Sequence, residues 1–596
     1  MAGVADASRI RNEQWTRDAS TTSEKRRRQI LKLLRELIRI QHERGYLDDA
    51  TLREVSKQQR VPLYQLEGLV SFYPHFRRTP PPLFSVHVCR DVSCSMGGCS
   101  KLSAELRSRL QERGDVEIRE VSCIGRCDSA PAVSINEVPL TSSGRSVDEV
   151  LQSVLSVTLN ASGELKSAGE PGGVSPRTVA RHDEAQVRGL TPSGSPKRRV
   201  DPYASADSRY STVTSLAANL DDLATKCIDR LTAAGLRGMG GAGFPTGRKL
   251  QLVRGEAASP KYVICNADES EPGTFKDRQI LSELPHLVIE GMLLAGLTIG
   301  AEQGIVFLRH EYGPEQKPLE AALIEARKRG VLGPNAAGSG RAFDIEIFVS
   351  PGGYILGEET ALLECLEDKR GEPRNKPPYP GTHGLWGQPT LINNVETFAL
   401  ATSIIHHGAN WWKAQGTRGC AGLKFVSISG DVNAPAVYEI PVGTTVRELV
   451  DHAGGMRDGA ALQAFLPGGA SSNFLPADKV DTPLDFDAMK AAGSMLGTGA
   501  VIVISDRHKL LDLATNIVRF FRNESCGKCV PCRMGSQKAV EVLEEIACGT
   551  RPTSELSLLP ELGETLEQTS ICGLGQVALN PILSLMRNVP GGFEPI

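Results

Sequence analysis

Three cysteines recur at intervals of three in NESCGKCVPCR, at Cys526, Cys529 and Cys532, and Cys572 follows in TSICGLG after 39 intervening residues. Three thiols so close cannot all pair with one another. A tight triad closed by one remote cysteine suits the corners of a cubane iron–sulfur cluster. A structural zinc more often takes two separate pairs or a histidine, and no His lies between Cys526 and Cys572. In a second set, Cys89 with Cys94 and Cys123 with Cys127 fall in loops expected to follow two strands. Spacing alone leaves zinc and a [2Fe–2S] cluster both open there, since each takes four thiolates. Cys99 reads as a small buried side chain, and so do Cys227, Cys265, Cys365, Cys420 and Cys548.

Glycines and carboxylates form the other chemically suggestive group. GLRGMGGAGFPTGRK carries Gly238, Gly240 and Gly243 in G-x-G-x-x-G spacing, with Gly241 between them. The helical pattern LATKCIDRLTAAG precedes it, where a dinucleotide fingerprint has a strand, so a tight structural turn is the competing reading. A glycine run lets backbone approach a phosphate or a flat ring, and Phe244 and Lys249 add a ring for stacking and a cation. KYVICNADESEPGTFKDR places Asn266, Asp268, Glu269 and Glu271 at the carboxyl end of a strand, where open α/β sheets bind ligands. YILGEETALL repeats the theme with Glu358 and Glu359, and LINNVET with Asn393 and Asn394. Carboxylates at a helix start also satisfy its dipole, which is the plain alternative for the glutamate pair. Neither carboxylate pair has a Ser or Cys nucleophile with a His beside it, so hydrolase chemistry has no machinery here.

These residues need elements to position them. With 596 residues and 40% hydrophobic composition the chain is expected to form several domains. A net charge of −3, from 67 basic against 70 acidic residues, gives no electrostatic reason to expect nucleic acid or an anionic membrane as partner. The N-terminus lacks an apolar signal region, and the most apolar stretch, around Leu287 to Leu308, is interrupted by Glu290 and Glu302. A cytoplasmic protein, attached to a membrane only through partners, is expected.

The fold class expected is multidomain α/β. Residues 25–80 read as helical, and 81–160 as a small α/β domain with strands in FSVHVC, VEIREVSC and PAVSINEVPL. The Gly/Ser/Pro-rich stretch 161–206 reads as a flexible linker. Residues 207–417 alternate strand and helix, as a largely parallel sheet does; 418–505 read as compact and β-rich, and 506–596 as helical.

Taken in order, GMGGAGFPTGRK, NADESEPGTFKDR, GEETALLE, NNVET and ESCGKCVPCR resemble the NADH-oxidising flavoprotein subunit of respiratory complex I, and the related diaphorase subunits of NAD-reducing hydrogenases and formate dehydrogenases. Residues 25–155, with SFYPHF and the two cysteine pairs, resemble the thioredoxin-like [2Fe–2S] partner of that subunit, here fused to it. The resemblance implies an N-terminal helical bundle with a thioredoxin-like domain, a Rossmann-like FMN and NAD domain, a ubiquitin-like (β-grasp) domain and a C-terminal helical bundle. It turns the first four cysteines towards [2Fe–2S] and keeps [4Fe–4S] at Cys526, Cys529, Cys532 and Cys572. FMN is then expected against Gly240 to Gly243 and Lys249, with Asn266, Asp268, Tyr354, Gly357, Glu358, Asn394 and Thr397 at its polar edges. NADH is expected to stack over it near Phe244, Glu271, Glu359 and Tyr379, the two glutamates placing the nucleotide for hydride transfer. Leu250 stands where many members have Trp, and Leu252 where some have an aromatic ring against adenine. The chain ends soon after Cys572 without a ferredoxin-like tail, so electron bifurcation is not expected. Expected partners are the other iron–sulfur subunits of an NADH dehydrogenase, hydrogenase or formate dehydrogenase complex, without nucleic acid and without direct membrane insertion. The reverse task, NAD+ reduction, and a zinc-stabilised scaffold are the alternatives.

Overall fold

The computed structural model describes residues 33–140, 146–167 and 198–589. Three helices, Leu33–Arg44, Asp49–Gln59 and Leu63–Phe72, lead the described residues. The second starts where Asp48 accepts the Thr51 N–H at 2.8 Å, a side-chain cap on an otherwise orphaned donor. Leu34, Leu37, Leu52, Leu66 and Leu69 turn inward at helical spacing.

The next domain is a four-stranded sheet of order β2-β1-β3-β4, built from β1 (Phe84–Cys89), β2 (Val116–Val121), β3 (Val133–Ile135) and β4 (Val138–Pro139). β1 and β2 are parallel, joined across the helix Cys99–Leu110. The single strand expected over PAVSINEVPL is instead a hairpin, because Asn136 and Glu137 both take left-handed φ, 49° and 68°. That is the turn matching strand twist.

The stretch read as a linker is described only at its ends. The helix Val147–Ser167 runs into it, and after residue 197 the chain is anchored. Val200 is buried, with its N–H on Glu439 at 2.7 Å, and buried Tyr203 donates to Glu290. Composition misses these anchors because their partners lie 87 to 239 residues away.

The next sheet is wholly parallel, in the order β7-β6-β5-β8: β5 (Tyr262–Ala267), β6 (Gln303–Leu308), β7 (Asp344–Val349) and β8 (Thr390–Asn394). Helices Pro285–Ile299 and Val395–His407 pack on it. The first of these is buried on every side, consistent with a sequence apolar around its whole circumference. A mixed sheet, β10-β9-β13-β11-β12, follows: β9 (Leu423–Gly430), β10 (Ala436–Pro441), β11 (Leu462–Leu466), β12 (Leu475–Pro476) and β13 (Ala500–Ser505). Helices Leu510–Asn523, Val530–Ala547, Leu559–Thr569 and Asn580–Asn588 then close the chain. Among the described residues, no single helix is long and apolar enough to cross a membrane.

Candidate active site

Strand order reverses between β5 and β8: the chain steps outward through β6 and β7, then returns to the other side of β5. Such a switch point opens a crevice at the carboxyl ends of the two strands. Register sets Cys265 beside Asn393 and Asn266 beside Asn394, so both polar ends meet at one edge. Into this crevice comes the glycine loop. A Cβ on Gly240 would lie 3.1 Å from the Cβ of Asn394, so a side chain there would crowd the strand end. Gly241 and Gly243 take φ of 114° and 64°. The loop is tied down where Thr397 Oγ1 accepts the Met239 N–H at 2.9 Å and where Lys249 Nζ donates to the Ile392 carbonyl at 3.0 Å. Lys249 sits 5.9 Å from the centre of the exposed Phe244 ring; burial lowers the pKa of its ammonium.

The acidic loop after β5 divides by function. Asn266 donates to the Gly357 carbonyl at 2.8 Å. Asp268 accepts from Ser270 through Oδ1 at 2.5 Å, while its buried Oδ2 has no hydrogen-bond partner among the described residues. Burial pushes its carboxyl up to about 6. Arg309, Glu311 and Ser350, at the ends of β6 and β7, face this carboxyl. Glu269 is committed elsewhere: it accepts the Asp277 and Arg278 N–H groups and the Tyr312 hydroxyl. Glu271 accepts from the Tyr354 hydroxyl and from the Ser471 N–H at 2.6 Å.

Glu358 bears out the plain reading of a carboxylate at a helix start. Its Oε2 accepts the Thr360 and Ala361 N–H groups, each at 2.9 Å, at the head of Glu359–Leu366. Its other oxygen and Glu359 share Lys376, at 2.7 and 2.9 Å. Tyr379, 60% exposed, stands just beyond this lysine. Lys376 draws no notice in the sequence because RNKPPYPG reads as a turn; its spacing from Glu358 has no local period. Lys276, Asp277, Glu396 and Lys424 escape sequence reasoning for the same reason. They form a buried charge network beneath Asn394: Lys276 Nζ lies 2.7 Å from Asp277, and Glu396 lies 3.1 Å from both lysines.

The cysteines fall into two groups on either side of this loop. Cys89, Cys94, Cys123 and Cys127 are all buried. Cys123 and Cys127 sulfurs lie 3.5 Å apart, and N–H groups of Gly125, Ala132 and Gly273 point at Cys123, Cys94 and Cys127, each at 3.4 Å. The last of these donors comes from the acidic loop itself. Contacts with Cys127 and Cys89, with Arg309 nearby, hold the Cys123 thiol well below its ordinary range. A compact set of four sulfurs with amide donors suits thiolate ligation of a [2Fe–2S] cluster.

Cys526, Cys529 and Cys532 line the loop and first turn of Val530–Ala547, with Cys572 facing them from the start of Gly573–Val577. Burial pushes Cys532 up to about 11 and Cys572 up to about 12, with neighbouring thiols adding to both. Beside them, the buried Ser570 Oγ has no partner among the described residues. Tyr354 joins this unit to the acidic loop, since its ring packs against Phe520 at 4.9 Å while its hydroxyl holds Glu271. Of the cysteines expected in the core, Cys99, Cys227, Cys265 and Cys365 are buried. Cys548 is exposed and Cys420 only half-buried: Cys548 caps the end of its helix, past the last apolar turn.

Four sequence-family models match the chain in succession. They are thioredoxin-like [2Fe-2S] ferredoxin over residues 17–155, the Nuo51 FMN-binding domain over 231–402, an SLBB domain over 425–473, and the NADH-ubiquinone oxidoreductase-F iron-sulfur binding region over 512–595. The chain is 44% identical to the F 2 subunit of the NADH-quinone oxidoreductase of Rhizobium meliloti (strain 1021), over 61% of this chain and 87% of that one. It belongs to the family of NADH-oxidising, FMN- and iron–sulfur-bearing subunits. It is 41% identical to the HndC subunit of the NADP-reducing hydrogenase of Solidesulfovibrio fructosivorans, over 64% of this chain and 77% of that one. The crystal structure of NAD+-reducing [NiFe]-hydrogenase in the air-oxidized state superposes with a TM-score of 0.78 at 31% identity, covering 94% of this chain and 92% of that one. This family member is thus an oxidoreductase of the NADH dehydrogenase type, an electron-input module using FMN, a [4Fe–4S] and a [2Fe–2S] cluster and NAD(H). Both of these curated relatives are named as subunits.

Proposed function

We propose that this chain exchanges hydride between NAD(H) and FMN at the β5/β8 switch point and relays electrons through both cysteine sets as the pyridine-nucleotide module of its complex. The observation carrying this assignment is the approach of the glycine loop to the strand-end Asn394 at the β5/β8 crevice, where Thr397 holds the loop in place. FMN, when bound, supplies the conversion between paired and single electrons. Gly238, Gly240, Gly241 and Gly243 offer backbone free of Cβ atoms, and Lys249 a cation for the phosphate. Asn266, Asp268, Gly357, Glu358, Asn393 and Asn394 hold the polar edges. Glu269, Thr397 and Tyr354 position the loops around them, by the bonds described above.

Phe244 and Tyr379 present exposed rings on which a nicotinamide or adenine can stack. Glu271 and Glu359 orient the nucleotide, with Lys376 countering the charge of Glu359. A carboxylate near a ribose accepts its 2′-hydroxyl and repels a 2′-phosphate, which favours NAD(H) over its phosphorylated form. No side chain is required to move a proton.

On this reading residues 81–160 are a thioredoxin-like unit behind an N-terminal helical bundle, 207–417 a Rossmann-like unit, 418–505 a β-grasp unit within which the SLBB match falls, and 506–596 a helical cluster domain. The chain works in the cytoplasm, peripheral to any membrane, beside other iron–sulfur subunits. A second reading concerns direction. The hydrogenase structure spans nearly the whole chain, whereas the Rhizobium relative matches 61% of it. That favours reduction of NAD+ by electrons from a hydrogenase-type partner.

Asp268→Ala tests the site: flavin content of the purified chain is expected to fall at least fivefold with iron content unchanged. Full flavin retention refutes the assignment. Direction is tested by isolating the intact complex and following NAD+ reduction under hydrogen; a complex that reduces quinone from NADH and ignores hydrogen refutes the second reading.

A further inference from the structure

Three side chains from three parts of the chain, none of them a member of the crevice or of either cysteine set, meet at one point. His75 follows the third N-terminal helix, Glu137 forms the tip of the β3–β4 hairpin, and His310 lies just past the end of β6. One ligand atom from each lies within 4.8 Å of the other two. Glu137 Oε1 is 3.6 Å from His75 Nδ1 and 3.4 Å from His310 Nε2, and the two imidazole rings are 3.8 Å apart at 49°.

Both N···O separations exceed the roughly 2.7–3.2 Å of an N–H···O hydrogen bond. They are ion-pair distances when the imidazoles are protonated, and they also match the geometry of a metal site. Zinc bonds of about 2.0–2.1 Å to imidazole and carboxylate set neighbouring ligand atoms about 3.3 Å apart around a tetrahedron. We propose that His75, Glu137 and His310 bind a zinc ion that clasps the N-terminal helices, the [2Fe–2S] domain and the flavin domain together.

The three ligands stand on fixed backbone, as a preorganised site requires. The His75 carbonyl accepts from Gln41 at 2.5 Å and its N–H donates to the Pro351 carbonyl at 3.3 Å. The hairpin tip is pinned by Asn136, whose side chain accepts the Ser85 N–H at 2.8 Å and donates to the Leu83 carbonyl at 3.0 Å. Beside His310, Arg309 is held by the Glu269 carbonyl and Glu311. Two imidazoles and one carboxylate, with no thiol, suit zinc and not an iron–sulfur cluster. The Glu137 side chain is 54% exposed, which leaves an entry path and a fourth position for water.

The test uses the full chain with flavin and clusters in place, stripped of loosely held metal on a chelating resin and titrated anaerobically with Zn(II). One zinc per chain is expected with iron content unchanged, and zinc-edge X-ray absorption is expected to show nitrogen and oxygen ligands without sulfur. Glu137→Gln, at an exposed position, and His310→Ala are each expected to weaken binding at least tenfold while flavin and iron contents stay at wild-type levels. Zinc held by sulfur, no zinc bound by the wild-type chain, or equal affinity in Glu137→Gln and His310→Ala overturns the proposal.

Discussion

Glu396→Gln tests whether the buried charge network beneath the flavin crevice holds that part of the fold together. Glu396, Lys276 and Lys424 are each no more than 1% exposed. Lys276 keeps Asp277 at 2.7 Å if Glu396 is neutralised, but Glu396 is the only carboxylate within ion-pair distance of Lys424 among the described residues. Removing one partner of a buried pair costs about 3–5 kcal/mol, because the remaining charge stays desolvated. Glutamine still accepts the Phe425 N–H that Glu396 Oε1 receives at 2.8 Å, so the lower end, about 3 kcal/mol, applies. At about 1.4 kcal/mol per decade this is roughly a hundredfold in local opening. Hydrogen exchange read by mass spectrometry should show that acceleration in peptides covering β9 and the helix Val395–His407. Adding Lys424→Met to Glu396→Gln removes the stranded charge, and should recover more than half of the loss, giving a coupling of about 2 kcal/mol in the double-mutant cycle. Exchange within threefold of wild type in Glu396→Gln, or strictly additive effects of the two substitutions, would refute the reasoning.

Three further outcomes follow from other sites. Glu290 is fully buried, and burial raises its carboxyl to about 7 against the opposing bonds from Tyr203 and the Val213 N–H. The folded state thus holds the proton more tightly than the unfolded one, so its contribution is complete below about pH 4.5 and is lost as pH rises through about 7. At about 1.36 kcal/mol per pH unit this amounts to about 3 kcal/mol, and thermal melting of Glu290→Gln should lose that part of the pH slope. Arg126 pairs with Glu315 at 2.7 and 2.9 Å across the interface of the [2Fe–2S] and flavin domains, with side chains 6% and 4% exposed. Arg126→Ala strands Glu315 at a cost of about 3–5 kcal/mol, and limited proteolysis between the two domains should run at least tenfold faster. A Cβ on Gly575 would lie 2.5 Å from Ser570 Oγ and 2.9 Å from Cys532 Cβ, whereas one on Gly573 would meet nothing within 4 Å. Iron assay should therefore show Gly575→Ala losing the [4Fe–4S] share while Gly573→Ala keeps it.

Legibility in the sequence follows the range of each interaction. The parallel sheet, the helices and both thiol sets are readable because alternation, helical spacing and cysteine intervals are local patterns. The placement of Asn266 and Asp268 at the carboxyl end of β5 is readable too, since the alternating pattern of KYVICNA marks the strand. Lys424 is 28 residues from Glu396, and Lys376 is 18 from Glu358. Neither separation has a periodicity, so those ion pairs are invisible until the fold closes. The anchored end of the 161–206 stretch fails to register for the opposite reason. Its composition is that of a linker, and only distant Glu439 and Glu290 give Val200 and Tyr203 somewhere to go.

The same long-range contacts tie the cysteine-bearing loops to the loop that shapes the crevice. Gly273, two residues beyond Glu271, points its N–H at Cys127, and Arg309 donates both to the Glu269 carbonyl and to the Cys123 carbonyl. Arg278 adds a bond to the Gly125 carbonyl at 3.0 Å. Gly273 thus joins the Cys127 loop to the acidic loop directly, Arg309 bridges the Cys123 loop and Glu269 from the end of β6, and Arg278 ties Gly125 to the helix Lys276–Glu283 that follows the acidic loop. Tyr354 does the same on the other side, towards the helix that ends before Cys526. A displacement of the acidic loop must therefore strain both cysteine sets, so the crevice and the two sets are held as one body.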